Sequence, residues 1–309
     1  EILRCLVGSE MCIRDSSYPD NIMAVRLSAD QAGKISFDTN LENLINGTAY
    51  TNTVDGDTIT MRDALPTNGL NVEAQLKVIN EGGSLSTGTN GGNPAITVSG
   101  ADAVTLIFAC GTDYKMELPN FRGEDPHKAV TARINAAAKK GYEALKADHV
   151  ADHDALFSRV ELGFDEEIPQ IPTDELIKKY RNMIENNGGD IPTSAEQRAL
   201  EIMCYQFGRY LTIAGSRDGA LPTNLQGVWG EGWFTWYGDY HFNINVQMNY
   251  WPTMASNLSE CMKPYNDLLN VLKQAGRNAA AASFGIKSNP GEENGWLVGC
   301  FSTVSYTHL

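Results

Sequence analysis

Short apolar–polar alternations dominate the first third of the chain. "IMAVRLSA", "KISFDTN", "DTITMRD", "VEAQLKVI" and "AVTLIFACG" recur at roughly ten-residue spacing, separated by Gly, Asn and Asp. Alternation with period two predicts strands, and several without an intervening helical stretch predict a β-sandwich over residues 17–125. Within it, "NEGGSLSTGTNGGNPA" reads as a long Gly/Asn/Ser loop.

The texture changes near Asp125-Pro126. "HKAVTARINAAAKKG" and "YEALKADHVADHDALFSRVEL" predict helices broken at Gly141, and "TDELIKKYRNMIEN" a third, with Leu176, Ile177, Tyr180, Met183 and Ile184 on its apolar face. Residues 126–190 therefore read as a helical linker. A stronger helix follows Pro192, with Ser194 and Gln197 as a capping box and Leu200, Met203, Cys204, Phe207, Leu211 and Ala214 as its apolar stripe. Asn257 and Glu260 have the form of a second capping box. Tyr265, Leu268, Leu269 and Leu272 line the helix after it, which runs to about residue 283. Paired helices with long loops between them predict an α/α arrangement over residues 191–303.

Composition narrows the function. A net charge of −14 over 309 residues argues against nucleic acid as a partner, because phosphate binding needs clustered Lys and Arg. No apolar run approaches the roughly 18 residues of a membrane span. Residues 1–16 and 304–309 differ in style from the rest and resemble translated adapter read-through, so they are set aside as artefact, with Cys5 and Cys12 among them. Cys110, Cys204, Cys261 and Cys300 are widely spaced and form no CxxC pair, a pattern that supports neither a zinc site nor a disulfide framework. His149 and His153 lie one helical turn apart but lack the following glutamate of a zinc-protease helix, and packing is the better reading. Asn46-Gly-Thr48 and Asn257-Leu-Ser259 have sequon form; a helix cap accounts better for the second.

The unusual segment is "NLQGVWGEGWFTWYGDYHFNINVQMNYWPT". Trp229, Trp233, Trp236 and Trp251 fall in it or at its end, among glycines and amides. Flat aromatic faces beside groups that both donate and accept match the C–H faces and hydroxyls of a sugar. A loop that packs helices is the other reading. Asn243 and Asn245 would point about 200° apart on a helix, but share a face if extended. On one face, two amide oxygens can hold a water or hydroxyl between them. "VQMNYW" then turns helical, and Asn249, Tyr250 and Trp251 take structural roles in the inner helix, Asn249 bonding within it.

The strings Leu-Pro-Thr-Asn-Leu-Gln-Gly (221–227) and Asn-Ile-Asn-Val-Gln-Met-Asn-Tyr-Trp-Pro (243–252), with "ACGTDYKMELPNFRGEDP" and "HVADHDALFSRVEL" before them, resemble glycoside hydrolase family 95, the 1,2-α-L-fucosidases and relatives. The resemblance covers most of residues 17–303. It implies a β-sandwich, a helical linker, an (α/α)6 barrel truncated here, and a further β domain. It also implies inverting hydrolysis of terminal α-L-fucose or α-L-galactose from oligosaccharides, with no metal or organic cofactor. By position, Asn243 and Asn245 would hold the attacking water and His241 would lie near the sugar. Trp229, Trp233, Asn224 and Gln226 are candidates for the sugar pocket or its support. The general acid and an assisting carboxylate would lie outside these residues. Glu231 and Asp239 are read as loop or ligand-shell groups, and Glu292, Glu293 and Trp296 as a later loop near the site. The chain alone is expected to be inactive, and its setting periplasmic or extracellular. The alternatives are a non-catalytic glycan-binding protein and an (α/α)6 phosphorylase or hydrolase of another sugar.

Overall fold

A computed structural model describes residues 16–42, 50–66, 68–163, 169–189, 194–229, 238–286, 295–299 and the backbone of 301–302. Trp233, Trp236, Glu231, Glu292, Glu293, Cys300, the Asn46 sequon and the two terminal segments lie outside the described residues, apart from Ser16.

Eight strands build the N-terminal part: β1 (Met23–Ser28), β2 (Ile35–Thr39), β3 (Thr51–Asp55), β4 (Thr58–Ala64), β5 (Asn71–Glu81), β6 (Ser84–Asn90), β7 (Asn93–Ala101) and β8 (Ala103–Thr112). They form an antiparallel five-stranded sheet, β1-β8-β5-β4-β3, and a three-stranded sheet, β2-β7-β6. Ile59, Leu76, Val78, Ile96, Val98 and Val104 fill the space between the sheets. This is the β-sandwich that the alternation predicts.

The expected long loop is instead a strand. Gly91 and Gly92, at φ 59° and 88°, are the left-handed pair of the two-residue hairpin turn that folds β6 onto β7, while Gly82 and Gly83, at 69° and 63°, carry the chain from β5 across to the other sheet. A Cβ on Gly83 would come within 2.3 Å of Ser99 O. Strand β6 then runs as a polar edge on which only Leu85 is partly covered. Its Ser and Thr content hides strand structure from a reading that depends on apolar alternation.

Helix α1 (His127–Lys140) and helix α2 (Tyr142–Phe157) follow, separated by Gly141 at φ 80° as expected. They cover the outer face of the five-stranded sheet, where Ile22, Ile107 and Ala109 meet Val130, Ile134, Ala137 and Leu145. Strand β8 is thus buried on both faces, which is why "AVTLIFA" reads as a nearly continuous apolar run. The junction is also ionic. Glu73, fully buried on β5, takes Arg62 Nε at 3.2 Å, His127 Nδ1 at 2.8 Å and Gln75 Nε2 at 2.6 Å.

Helix α3 (Thr173–Asn186) buries Leu176 but leaves Ile177 exposed. Helix α4 (Ala195–Gly215) starts at Ser194, whose Oγ accepts the Gln197 N–H at 3.2 Å. The Gln197 side chain turns to Glu201, so the cap is half a capping box. The apolar stripe expected on α4 is corrected. Met203, Cys204 and Phe207 are exposed, Leu200, Leu211 and Ala214 are half-buried, and the buried positions are Ala199, Arg209, Ile213 and Gly215. Arg209 accounts for the inversion. Its guanidinium donates to the carbonyls of Leu156 (2.9 Å), Phe157 (2.7 Å), Val160 (3.2 Å) and Ser256 (3.3 Å). The carbonyls at the end of α2 have no intrahelical partner, and a buried cation serves them.

The rest is the short strand β9 (Tyr240–His241), helix α5 (Asn245–Tyr250), helix α6 (Pro252–Ala255), a 3-10 turn (Ser259–Met262), helix α7 (Lys263–Phe284) and the short strand β10 (Phe301–Ser302). The capping box expected at Asn257 is absent. Asn257 is left-handed at φ 56°, and Glu260 pairs with Arg159 at 2.7 Å. Helix α7 begins after the 3-10 turn and carries Pro264 in its first turn. Tyr265, Leu268 and Leu272 face the core, as their spacing predicts, whereas Leu269, expected on the same face, is half-buried and outside that cluster.

Candidate functional site

The site is made by two loop segments and one short helix. Residues 221–229 lead away from α4, and residues 238–244 lead into α5. The two are tied together by Tyr250, Tyr240 and Asn249. The Tyr250 hydroxyl accepts the Thr223 N–H at 2.9 Å and lies 2.9 Å from Ser216 Oγ, which donates to Cys261 O at 2.8 Å. A serine hydroxyl has one proton, so Tyr250 is the donor in the bond they share. Its ring stacks on Tyr265 at 5.1 Å. Tyr240 donates to Pro222 O at 2.8 Å, and burial together with Tyr250 and Tyr114 pushes its phenol far above the ordinary range. Asn249 Nδ2 donates to Asn224 O at 2.7 Å, reaching across to the loop rather than bonding inside its own helix as expected. Trp251, expected in a structural role, is 62% exposed.

Asn224 is fully engaged. Its Oδ1 accepts Gln226 N–H at 2.9 Å, its Nδ2 donates to Gly238 O at 3.3 Å, and its backbone exchanges two 3.1 Å bonds with Gly227. This turn seats Trp229. A Cβ on Gly227 would lie 2.6 Å from the indole, and one on Gly215 would lie 3.3 Å from it. Glycine at both positions lets the ring lie on the backbone. Trp229 forms a wall shared by two open clefts of about 320 and 220 Å³. Gln226, Asn249 and Tyr250 line the first; Asn224, Gly238 and Tyr240 line the second.

His241, Asn243 and Asn245 line neither cleft; they lie together farther along the chain. His241 is buried, with Nδ1 at 3.3 Å from Asp239 O, and its backbone pairs with Phe301. Asn243 and Asn245 are exposed on either side of Ile244. The segment is a turn, not the extended strand expected. Ile244 sits at φ 74°, and Asn245 opens α5. A β-branched residue in the left-handed region is strained, and such strain persists where surrounding structure fixes it. Asp239 keeps one carboxylate oxygen buried with no hydrogen-bond donor among the described residues.

The sandwich reaches this region. Tyr114, Met116 and Phe121, from the segment leaving β8, pack against Tyr240, Val246, Tyr250 and Leu268. The rings of Tyr114 and Phe121 are stacked at 6.2 Å. Sequence reasoning missed this support, because "DYKMELPNF" reads only as a domain exit. Among the described residues no three His, Cys, Asp or Glu side chains come together as a metal site. His153 stacks on Phe157 at 5.2 Å, and Trp296 packs on Gly276 of α7.

Comparison with known proteins identifies the family. Residues 141–307 match the glycosyl hydrolase family 95 catalytic domain, and residues 14–117 match the glycosyl hydrolase family 65 N-terminal domain. A probable alpha-fucosidase A of Aspergillus niger is 34% identical over 259 residues, covering 80% of this chain and 31% of that protein. Alpha-L-fucosidase 2 of Arabidopsis thaliana is 29% identical over 307 residues, covering 91% and 34%. A solved putative kojibiose phosphorylase from human microbiome aligns at a TM-score of 0.45 and 10% identity over 75% of this chain and 26% of that one. The chain spans about a third of the length of the curated relatives it matches. A catalytic-domain match over more than half its length shows that the chain belongs to glycosyl hydrolase family 95.

Proposed function

We propose that this chain is part of an inverting exo-α-L-fucosidase, with residues 17–125 as sandwich, 126–190 as linker and 191–303 as the start of the catalytic barrel. Its substrate is a fucosylated or L-galactosylated oligosaccharide, and its setting periplasmic or extracellular. Asn243 and Asn245 position the attacking water. His241, Trp229 and Trp233 contact the sugar. Asn224 and Gln226 hold the loop that carries Trp229, an assignment supported by the hydrogen bonds that occupy the Asn224 amide.

The observation that carries the reading is the turn at Ile244. A strained φ of 74° holds two exposed amides one residue apart, and α5 is anchored behind them through Tyr250. An amide orients water and accepts its hydrogen bonds but is a poor Brønsted base. Inverting hydrolysis therefore needs a carboxylate to take the charge and an acid on the leaving oxygen, with the catalytic pair roughly 6.5–9.5 Å apart. We assign both to residues beyond these 309, and expect the chain alone to be inactive.

The test is to incubate the whole protein with an α-1,2-fucosyl oligosaccharide and follow the released sugar by proton NMR. β-L-fucose should appear first. Initial release of the α-anomer, strict dependence on phosphate, or binding without turnover would each overturn the proposal.

A further inference from the structure

Gly276 lies in the interior of α7, a position that disfavours glycine because of its backbone entropy. It is buried, and the reason is close approach. A Cβ there would lie 2.7 Å from Trp296 Cε3 and 2.9 Å from Leu297 O. The Gly276 carbonyl accepts the Leu297 N–H at 3.1 Å. The segment 295–299 therefore lies on the bare backbone of the helix. Four residues after Leu297, Phe301 pairs with His241, and Ser302 pairs with Tyr240. Tyr240 is held from its other end by Pro222. The seat on α7 at Leu297 and the β10–β9 ladder at Phe301 thus hold the same stretch of chain at two points four residues apart.

We propose that Gly276 is a positioning residue. Its missing side chain lets Trp296 and Leu297 dock on α7, and this docking holds β10 against β9 and sets the place of His241. The proposal rests on His241 belonging to the sugar site, and its test has one arm that does not need activity. A side chain at position 276 lifts the segment off the helix. Removing the Trp296 indole loosens the same seat without crowding it.

The experiment uses the whole protein labelled with 13Cε1-histidine, the His241 resonance being assigned by its loss in His241→Gln. Gly276→Ala and Trp296→Ala should both move or broaden that resonance. Ile59→Val, in the distant sandwich core, should not. In parallel, kcat/KM on the α-1,2-fucoside should fall about tenfold to a hundredfold in Gly276→Ala, since small misplacements carry costs of that order. The same substitution in a His241→Ala background should cost no more than about twofold, the residual expected when two changes act through one group. A role confined to stability would cost the same in both backgrounds. If Gly276→Ala does not fold, Trp296→Ala decides alone. A His241 resonance unmoved in the folded variants overturns the proposal. A wild-type protein that hydrolyses no fucoside overturns the functional reading instead, and the resonance still decides this one.

Discussion

The Thr223 N–H and the Tyr250 hydroxyl meet at 2.9 Å in the buried interior and join the Trp229 loop to α5. The same hydroxyl donates to Ser216, which in turn donates a hydrogen bond to Cys261 O. Tyr250→Phe keeps the ring and its stacking on Tyr265 but leaves the Thr223 N–H without its acceptor and Ser216 without its donor. Each unmade buried bond costs about 1–3 kcal/mol. Urea unfolding of Tyr250→Phe should show a loss of about 2–4 kcal/mol with m unchanged, since the surface exposed on unfolding is the same. A loss below about 0.5 kcal/mol, the scale of an ordinary surface change, would show that the relay carries no load.

Arg209 links three separate elements through their carbonyls, and Gln206 Nε2 shares the one at Val160 at 3.3 Å. Arg209→Met fills similar volume without donors. It should destabilise by about 2–4 kcal/mol, because each buried carbonyl left without a donor costs about 1–3 kcal/mol. Arg209→Lys should recover little, because a single ammonium lacks the planar fork that spans several acceptors. Chemical denaturation of the two variants checks this, and full rescue by lysine would contradict it.

Much of this was legible in the chain. The sandwich strands, the break at Gly141, the Ser194 cap and the Tyr265–Leu268–Leu272 face follow from periodicity and capping chemistry. Three features were not. Apart from Leu85, strand β6 is made of Ser, Thr, Gly and Asn, so its period carries no hydrophobic signal. The apolar stripe of α4 reads as core, whereas the buried side contains Arg209, a residue that any hydropathy pattern assigns to solvent. The left-handed backbone of Ile244 runs against the preference of a β-branched residue, so local propensity predicts an extended segment there. Such conflicts between local preference and observed structure are expected at functional or strained places.

Tyr114 connects the sandwich to the site, and burial pushes its phenol up to about 12 from an ordinary value of 10. The unfolded chain releases this proton first as pH rises. The contribution of Tyr114 to stability is therefore complete below pH 10 and declines as pH climbs towards about 12. Tyr114→Phe removes that group from the alkaline limb. Unfolding measured between pH 9 and about 12 should show a shallower decline in the variant than in the wild type. Parallel curves would mean that Tyr114 titrates alike in both states.

The amide pair yields the sharpest functional test. Asn243 and Asn245 are exposed, and among the described residues neither side chain hydrogen-bonds into the core, so replacing either by glycine should leave the fold largely intact. If they orient the attacking water, the interaction matters most in the transition state. Such changes lower kcat and kcat/KM together and leave KM nearly constant. The whole protein carrying Asn243→Gly or Asn245→Gly should lose about 10²–10³ in kcat on an α-1,2-fucoside, the scale for removing one preorganised polar group. Asn245→Gly also places glycine at the start of α5, so its melting temperature is the control for a purely structural loss. A rise in KM at constant kcat would move the pair from water positioning to sugar binding. Unaltered turnover in both variants would remove it from the mechanism, and the water would then have to be held by another group.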